Sequence, residues 1–232
     1  MQFEPYEIVE LNDFLSPHDN NVVLKYLFDT RELWEARRDR APSYKNGEWY
    51  TFGASMYLDL QKESDWENYC RKVEYFNSVL NQHFRNFYKM LLLKLTEKTG
   101  GKFEMAEYFY PHFGYPGFHI FPPHLSLTEF FGRKHQDLQW KAFEKMPDFP
   151  KTEVTDHFSG TYCIKIPPLG PHFIYDEKLD TKLTYNERAL YLHSGQFDHA
   201  IAPLKNPVTQ FDWRITLQFH GFRANGVNYI YW

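Results

Sequence analysis

LYLHSGQFDHAIAPLKNPVTQFDWRITLQFH, residues Leu190 to His220, is the stretch from which the fold of this chain is read. Its last part alternates: Arg214, Thr216, Gln218 and His220 fall on one side of an extended backbone, and Ile215, Leu217 and Phe219 on the other. The plain account is a half-exposed strand whose polar face meets water. The sharper account lays the apolar face under a helix and turns the polar face into a barrel, where a buried guanidinium requires an anion. His199 opens the preceding predicted strand, fifteen positions before Arg214 (214 − 199 = 15).

Upstream, His135-Gln136-Asp137 is the only His-x-Asp/Glu triplet in the chain. With 11 His and 30 acidic residues among 232, roughly one such triplet arises by chance, so the pattern counts only through its chemistry. In a strand, residues i and i+2 point to the same side, so His135 and Asp137 can reach one ion together. His199 is the best candidate for a third ligand. Two imidazoles and one carboxylate on one side of Fe(II) leave three positions open, enough for a bidentate 2-oxo acid and O2.

The remainder of the chain is consistent with a barrel behind a helical scaffold. A length of 232 residues suits a single domain, 1–232, with a helical scaffold and first strand over 1–100 and a β core over 101–232. Aromatics at 19% favour strands and an aromatic-walled cavity over disorder. Phe14-Leu15-Ser16-Pro17 predicts a capped helix to about Phe28, and Ser64-Asp65-Trp66-Glu67 reads as a capping box. Behind that box, Trp66, Tyr69, Cys70, Val73, Phe76, Leu80, Phe84, Phe87, Leu91 and Leu95 recur at helical spacing, until Gly100-Gly101 stops the helix. Trp49 to Asp59 reads as a strand with small residues at 53–55. Eight further strands are predicted: Phe103–Tyr110, Tyr115–Phe121, Gly160–Ile166, Pro171–Tyr175, Ala189–Leu192, His199–Leu204, Trp213–Phe222 and Val227–Trp232. Arg37, Arg38 and Arg40 read as a solvated patch, with a carboxylate clamp as the alternative.

Charge and cysteines exclude several classes. A formal charge of −4 argues against a phosphate-tracking nucleic-acid binder. Cys70 and Cys163 offer neither a disulfide framework nor a thiolate cluster and fit a reducing compartment. The opening segment lacks the pattern of a signal peptide, and no apolar run reaches membrane-spanning length, so a soluble, cytoplasmic protein is expected. No Gly-rich phosphate loop, zinc-type cysteine spacing or serine nucleophile elbow occurs.

On His135-x-Asp137, His199 and Arg214-x-Thr216, in that order across residues 100 to 225, the chain resembles the Fe(II)- and 2-oxoglutarate-dependent oxygenases with their double-stranded β-helix (jelly-roll, cupin-like) core. The 64 positions between the two histidines (199 − 135 = 64) are similar to the spacing in the small free-amino-acid hydroxylases and radical halogenases of that superfamily. The resemblance implies iron held by His135, Asp137 and His199, and 2-oxoglutarate as cosubstrate. Its distal carboxylate then falls to Arg214 and Thr216, with O2 as oxidant. It also implies hydroxylation of an unactivated C–H in a small polar molecule such as a free amino acid. Asp137 stands where the halogenases carry a small residue, which favours hydroxylation over chlorination. A non-catalytic cupin-like binding module and a nucleic-acid or protein demethylase remain as alternatives.

Tyr108, Phe118, Trp140 and Trp213 are candidate walls of the substrate pocket, with core packing as the alternative for each. His119, without a carboxylate at i+2, is the rival to His135 or an outer group. The glycines of His112-Phe113-Gly114 and His193-Ser194-Gly195 are accounted for by turns. His124, His157, His172 and His220 read as surface or pocket groups.

Overall fold

The computed structural model describes residues 3, 7–37, 49–123, 135–150, 154–168, 172–175, 181–201 and 209–232. Arg38, Arg40, the loop that follows them, His124 and Pro171 lie outside these residues, as does the end of the predicted strand at 202–204. The first element is β1 (Ile8–Leu11), which the sequence reading missed. Helix α1 (Pro17–Asp29) follows, capped as expected: Ser16 Oγ accepts the Asp19 N–H at 3.1 Å, and proline occupies the first helical position. Its buried Asn20 donates to the Ile164 carbonyl at 2.9 Å and accepts from the Tyr162 hydroxyl at 2.6 Å, tying the helix to the sheet below.

β2 (Glu35–Arg37) and β3 (Trp49–Phe52) pair antiparallel. Arg37 is not a solvated arginine. Its guanidinium grips both oxygens of Asp59, at 2.9 and 3.1 Å, and reaches Glu35 and Thr51 as well. The strand predicted from Trp49 to Asp59 stops at Phe52, because Gly53 turns the backbone to φ +131° and a short helix α2 (Met56–Asp59) takes over. The close approach its small residues allow is made by a side chain: a Cβ on Gly53 would meet the Trp232 ring at 2.9 Å.

The long helix α3 (Trp66–Thr99) is present with its apolar stripe buried, from Tyr69 through Phe76, Phe84 and Leu91 to Leu95. It ends on left-handed Gly100, whose N–H returns to the Thr96 carbonyl at 2.9 Å. The capping box is not formed. Asp65 turns its carboxylate back to accept the Lys62 N–H at 3.0 Å, closing a 3₁₀ turn (Glu63–Asp65) ahead of the helix. The stripe packs on the sheet through rings: Phe84 and Phe87 lie 5.1 and 6.2 Å from Phe118. Burial of each such aromatic contributes on the order of 2–3 kcal/mol.

β4 (Phe103–Met105) gives way to a 3₁₀ turn (Ala106–Tyr108) instead of continuing to Tyr110. β5 (Gly117–Phe121), β6 (Thr155–Lys165), β7 (His172–Tyr175), β8 (Thr181–Thr184), β9 (Leu190–His193), β10 (His199–Ile201), β11 (Arg214–Ala224) and β12 (Val227–Tyr231) follow. β2 and β8, like β1, went unread. Between 139 and 150 the chain is packed: a 3₁₀ stretch (Gln139–Lys145) buries Phe143, which with Phe149 meets Phe222 and Phe113.

Two antiparallel sheets result. The large one runs β1-β9-β6-β11-β5-β3-β2, with β12 added to β11 and β4 parallel to β12; the small one runs β10-β7-β8. His135 adds to the small sheet through a bridge to His199. Successive segments alternate between them: β5 large, 135 small, β6 large, β7 and β8 small, β9 large, β10 small, β11 large. This is the double-stranded β-helix. β11 is the centre of the large sheet, paired with β5, β6 and β12, so its two faces divide the molecule. Ile215, Leu217 and Phe219 join the core shared with α3, while Arg214, Thr216 and His220 are buried on the other side. No helix of the described residues is long and apolar enough to cross a membrane.

Candidate metal centre

His135 and His199 face each other across a two-bond antiparallel bridge, each N–H donating to the other's carbonyl at 2.9 Å, so their rings lie 4.5 Å apart. Asp137, two residues on, donates its N–H to the Gly195 carbonyl at 2.7 Å, which turns its side chain towards both rings. The carboxylate Oδ1 is 3.8 Å from His135 Nε2 and 3.6 Å from His199 Nε2. One ligand atom from each of the three lies within 4.8 Å of the other two, a spacing that a single ion can bridge. Among the described residues the extended pairing at the triplet is this one bridge at His135, continued by the Asp137–Gly195 bond.

The surroundings fit a resident cation. Phe197 O accepts from His199 Nδ1 at 3.0 Å; a carbonyl can only accept, so Nδ1 carries a proton and Nε2 is the nitrogen that faces the cluster, where either a second proton or a metal ion can sit. Gln139 donates to Asp137 Oδ1 at 3.4 Å, and Gln136 ties the outer edge to Asp198 at 3.0 Å. Burial opposes ionisation of Asp137, yet the positive charge of His199 beside it holds its carboxyl well below the usual range. Burial likewise disfavours protonated His199, and Asp137 overcomes it and raises its pKa. A bound metal ion supplies the same positive charge without the proton. His135 is the exposed member, with 48% of its side chain accessible against 3% for Asp137, so the centre opens to solvent on that side.

His119, the rival ligand, points elsewhere: its Nε2 lies 2.7 Å from the Tyr57 hydroxyl, and its ring packs against Trp49 and Trp232. His193 Nδ1 accepts the Gly195 N–H at 3.0 Å and so shapes the turn at left-handed Gly195, as the sequence reading supposed. Gly114 is required by close packing, since a Cβ there would stand 2.4 Å from the Ala54 carbonyl oxygen.

Arg214 is 2% exposed, and its Nε and Nη1 meet no hydrogen-bond partner among the described residues. Its guanidinium carbon lies over the rings of Phe121 at 5.1 Å and Tyr185 at 5.8 Å. Thr216 Oγ1, two residues along the same face, is buried and likewise unpartnered among the described residues. A cation with two open donors, on the same strand face as an open hydroxyl, has the chemistry to accept a carboxylate. Tyr185, absent from the sequence reading, is the buried ring beside this guanidinium; burial raises its pKa and the positive charge of Arg214 opposes the rise.

The four suggested pocket walls lie apart from one another. Tyr108 is 73% exposed. Phe118 faces α3, because alternation along β5 turns its neighbour His119 inward. Trp213 packs with Phe28 and Trp34. Trp140 stacks on His157 at 5.1 Å. Beside His135 lies a cleft of about 680 Å³ that includes Tyr57, Leu60, Gln61, Leu138 and Gln139.

No family model matches the chain, and no curated protein matches it in sequence. Among solved structures, a Pseudomonas putida prolyl-4-hydroxylase is similar at 16% identity, over 94% of this chain and 93% of that one, with a TM-score of 0.43. The non-haem α-ketoglutarate-dependent epimerase SnoN from nogalamycin biosynthesis is similar at 10% identity, over 94% and 81%, with a TM-score of 0.47. The viral collagen prolyl hydroxylase of Paramecium Bursaria Chlorella virus-1 is similar at 12% identity, over 92% and 94%, with a TM-score of 0.39. The chain is thus distantly similar to two prolyl hydroxylases and an α-ketoglutarate-dependent epimerase, and the weight of any functional reading falls on its own side chains.

Proposed function

We propose that this protein is an Fe(II)- and 2-oxoglutarate-dependent dioxygenase that hydroxylates an unactivated C–H of a small polar molecule, with a free amino acid as the preferred substrate class. The observation that carries the reading is Arg214: a fully buried guanidinium with two N–H donors open among the described residues, in a chain that also gathers a two-histidine, one-carboxylate cluster. An unpaired buried cation costs several kcal/mol, a cost offset only if an anion regularly occupies the site. An oxo diacid fits both features, with its 2-oxo acid end on the metal and its far carboxylate on Arg214 and Thr216.

Bound there, iron supplies oxidation by O2 coupled to decarboxylation, in the balance substrate C–H + 2-oxoglutarate + O2 → substrate C–OH + succinate + CO2. The protein supplies placement. His135, Asp137 and His199 would hold the ion, and three protein ligands would leave positions for reactants. Phe121 and Tyr185 place their rings against the Arg214 guanidinium and would keep its surroundings apolar. Asp137 occupies the position a halide would need, which favours hydroxylation over chlorination. The free thiols of Cys70 and Cys163 fit a reducing compartment, and we place the protein in the cytoplasm.

Anaerobic titration of the protein with Fe(II) and then 2-oxoglutarate tests the reading. A weak visible charge-transfer band saturating at one equivalent is expected. A protein that binds Fe(II) but gives no band on adding the oxo acid would not be this enzyme.

A further inference from the structure

Two buried polar atoms near the candidate metal cluster, His220 Nε2 and Gln139 Oε1, have no part in the roles above. His220 is 3% exposed and sits on the inward face of β11, six residues beyond Arg214, or about 20 Å along an extended strand. The charges of Asp137, His199 and His135 all act on it, so it stands at the metal end of the interior, whereas Arg214 stands at the carboxylate end. Its ring meets Tyr57 edge-on at 6.1 Å, and Tyr57 lines the cleft that also includes His135.

The state of the imidazole follows from its partners. Nδ1 lies 3.0 Å from Ser159 Oγ, and Ser159 is 2% exposed. If Nδ1 donated, the serine proton would be left to find another acceptor in a dry site; with the serine hydroxyl donating to Nδ1, both groups are satisfied. Nε2 then carries the hydrogen. That N–H is buried and meets no acceptor among the described residues. Burial also lowers the pKa of His220 to about 4, so at neutral pH it offers one N–H and no charge.

Gln139, which lines the same cleft, supplies the opposite polarity. Its amide N–H faces Asp137, since the carboxylate can only accept, and this turns Oε1 away as an acceptor that is buried and without a donor among the described residues. A molecule that satisfies both groups carries an acceptor oxygen and an N–H donor.

Resting on the proposed oxygenase reading, we propose that His220 and Gln139 hold the compound to be oxidised: His220 Nε2–H donates to its carboxylate oxygen, and Gln139 Oε1 accepts from its amino group. The substrate enters through the Tyr57 cleft, past His135. A free α-amino acid carries both groups on adjacent carbons and fits that polarity, while the oxo diacid remains at the Arg214 end. Ser159 acts through His220 as a positioning residue by holding its tautomer.

Binding to protein loaded with redox-inert Mn(II) and the unreactive 2-oxoglutarate analogue N-oxalylglycine tests this without turnover. Calorimetric titration with each of the twenty proteinogenic amino acids is expected to find at least one that binds. His220→Phe should weaken that binding at least tenfold and leave the Mn(II) and N-oxalylglycine affinities within twofold. His220→Gln, which keeps an N–H donor, should recover part of the loss and shows that the site still folds. If none of the twenty binds, or if one binds wild type and His220→Phe alike, the assignment is overturned. If His220→Phe instead loses N-oxalylglycine, the imidazole belongs to the oxo acid's carboxylate and the assignment is equally overturned. Failure of wild type to bind N-oxalylglycine at all would strike the oxygenase reading itself, a separate result.

Discussion

Gly195 and Asp137 are packed so closely that a Cβ on the glycine would stand 2.7 Å from the aspartate Cβ. The same glycine carbonyl accepts the Asp137 N–H at 2.7 Å, and its own φ of +71° is one that other residues adopt at a cost of about 1–2 kcal/mol. The carboxylate of the candidate metal cluster is therefore aimed by a residue that offers it no side chain. Gly195→Ala is predicted to leave the β-helix folded, with unfolding a few degrees lower, and to weaken Mn(II) binding by about ten- to a hundredfold. Equal affinity in a titration followed by electron paramagnetic resonance would remove Gly195 from the account of the site.

Arg214→Met should separate the metal from the oxo acid. Affinity for Fe(II) is expected within about threefold of wild type, while half-saturation by 2-oxoglutarate rises at least a hundredfold, as loss of a bidentate charged contact implies. In the absence of any acid the variant should be the more stable protein, by about 1–3 kcal/mol, because an uncompensated buried charge has gone. A lower melting temperature for unliganded Arg214→Met would mean that the guanidinium is paired in the resting state.

Asp137→Gly empties the carboxylate position and leaves two imidazoles. Fe(II) affinity should fall about a hundredfold, and chloride should recover part of it by taking the vacated position, a dependence that wild type lacks. Chloride-independent binding by the variant would count against Asp137 as a ligand.

His119 supplies a pH test away from the ligands. Burial, then the positive charge of Arg214, lowers its pKa to about 3 from an ordinary 6.5. The unfolded chain therefore takes up a proton near pH 6.5 that the folded chain refuses until about 3. The stability held above 6.5 is lost as pH falls through that window, at about 1.4 kcal/mol per pH unit from this one group. Urea unfolding of metal-free protein at pH 7, 6 and 5 should show the decline, and His119→Gln, which keeps an acceptor for Tyr57, should flatten it by about that slope. An unchanged slope would indicate that His119 already titrates normally in the fold.

What the residues alone made legible is what local periodicity encodes. Ser16-Pro17 forecast α1; the three-and-four spacing from Tyr69 to Leu95 forecast α3; and the alternation from Arg214 to His220 separated an inner face from an outer one. The i, i+2 relation of His135 and Asp137 belongs to the same class, since it depends only on an extended backbone. Local pattern also misled, where one side chain had two partners to choose from: Asp65 closed a turn instead of completing a cap for α3, and Gly53 ended a strand whose composition continued. Only the tertiary structure could decide which interior groups share a space. Tyr57 meets His119, Ser159 meets His220, and Tyr185 lies beside Arg214 across many residues of chain, through contacts that no window of sequence contains. It also sent Phe118 outward to α3 and left Tyr108 in water. Short-range order follows from backbone geometry, which each residue carries with it; the walls of a cavity follow from how two sheets close on one another, which is a property of the whole chain.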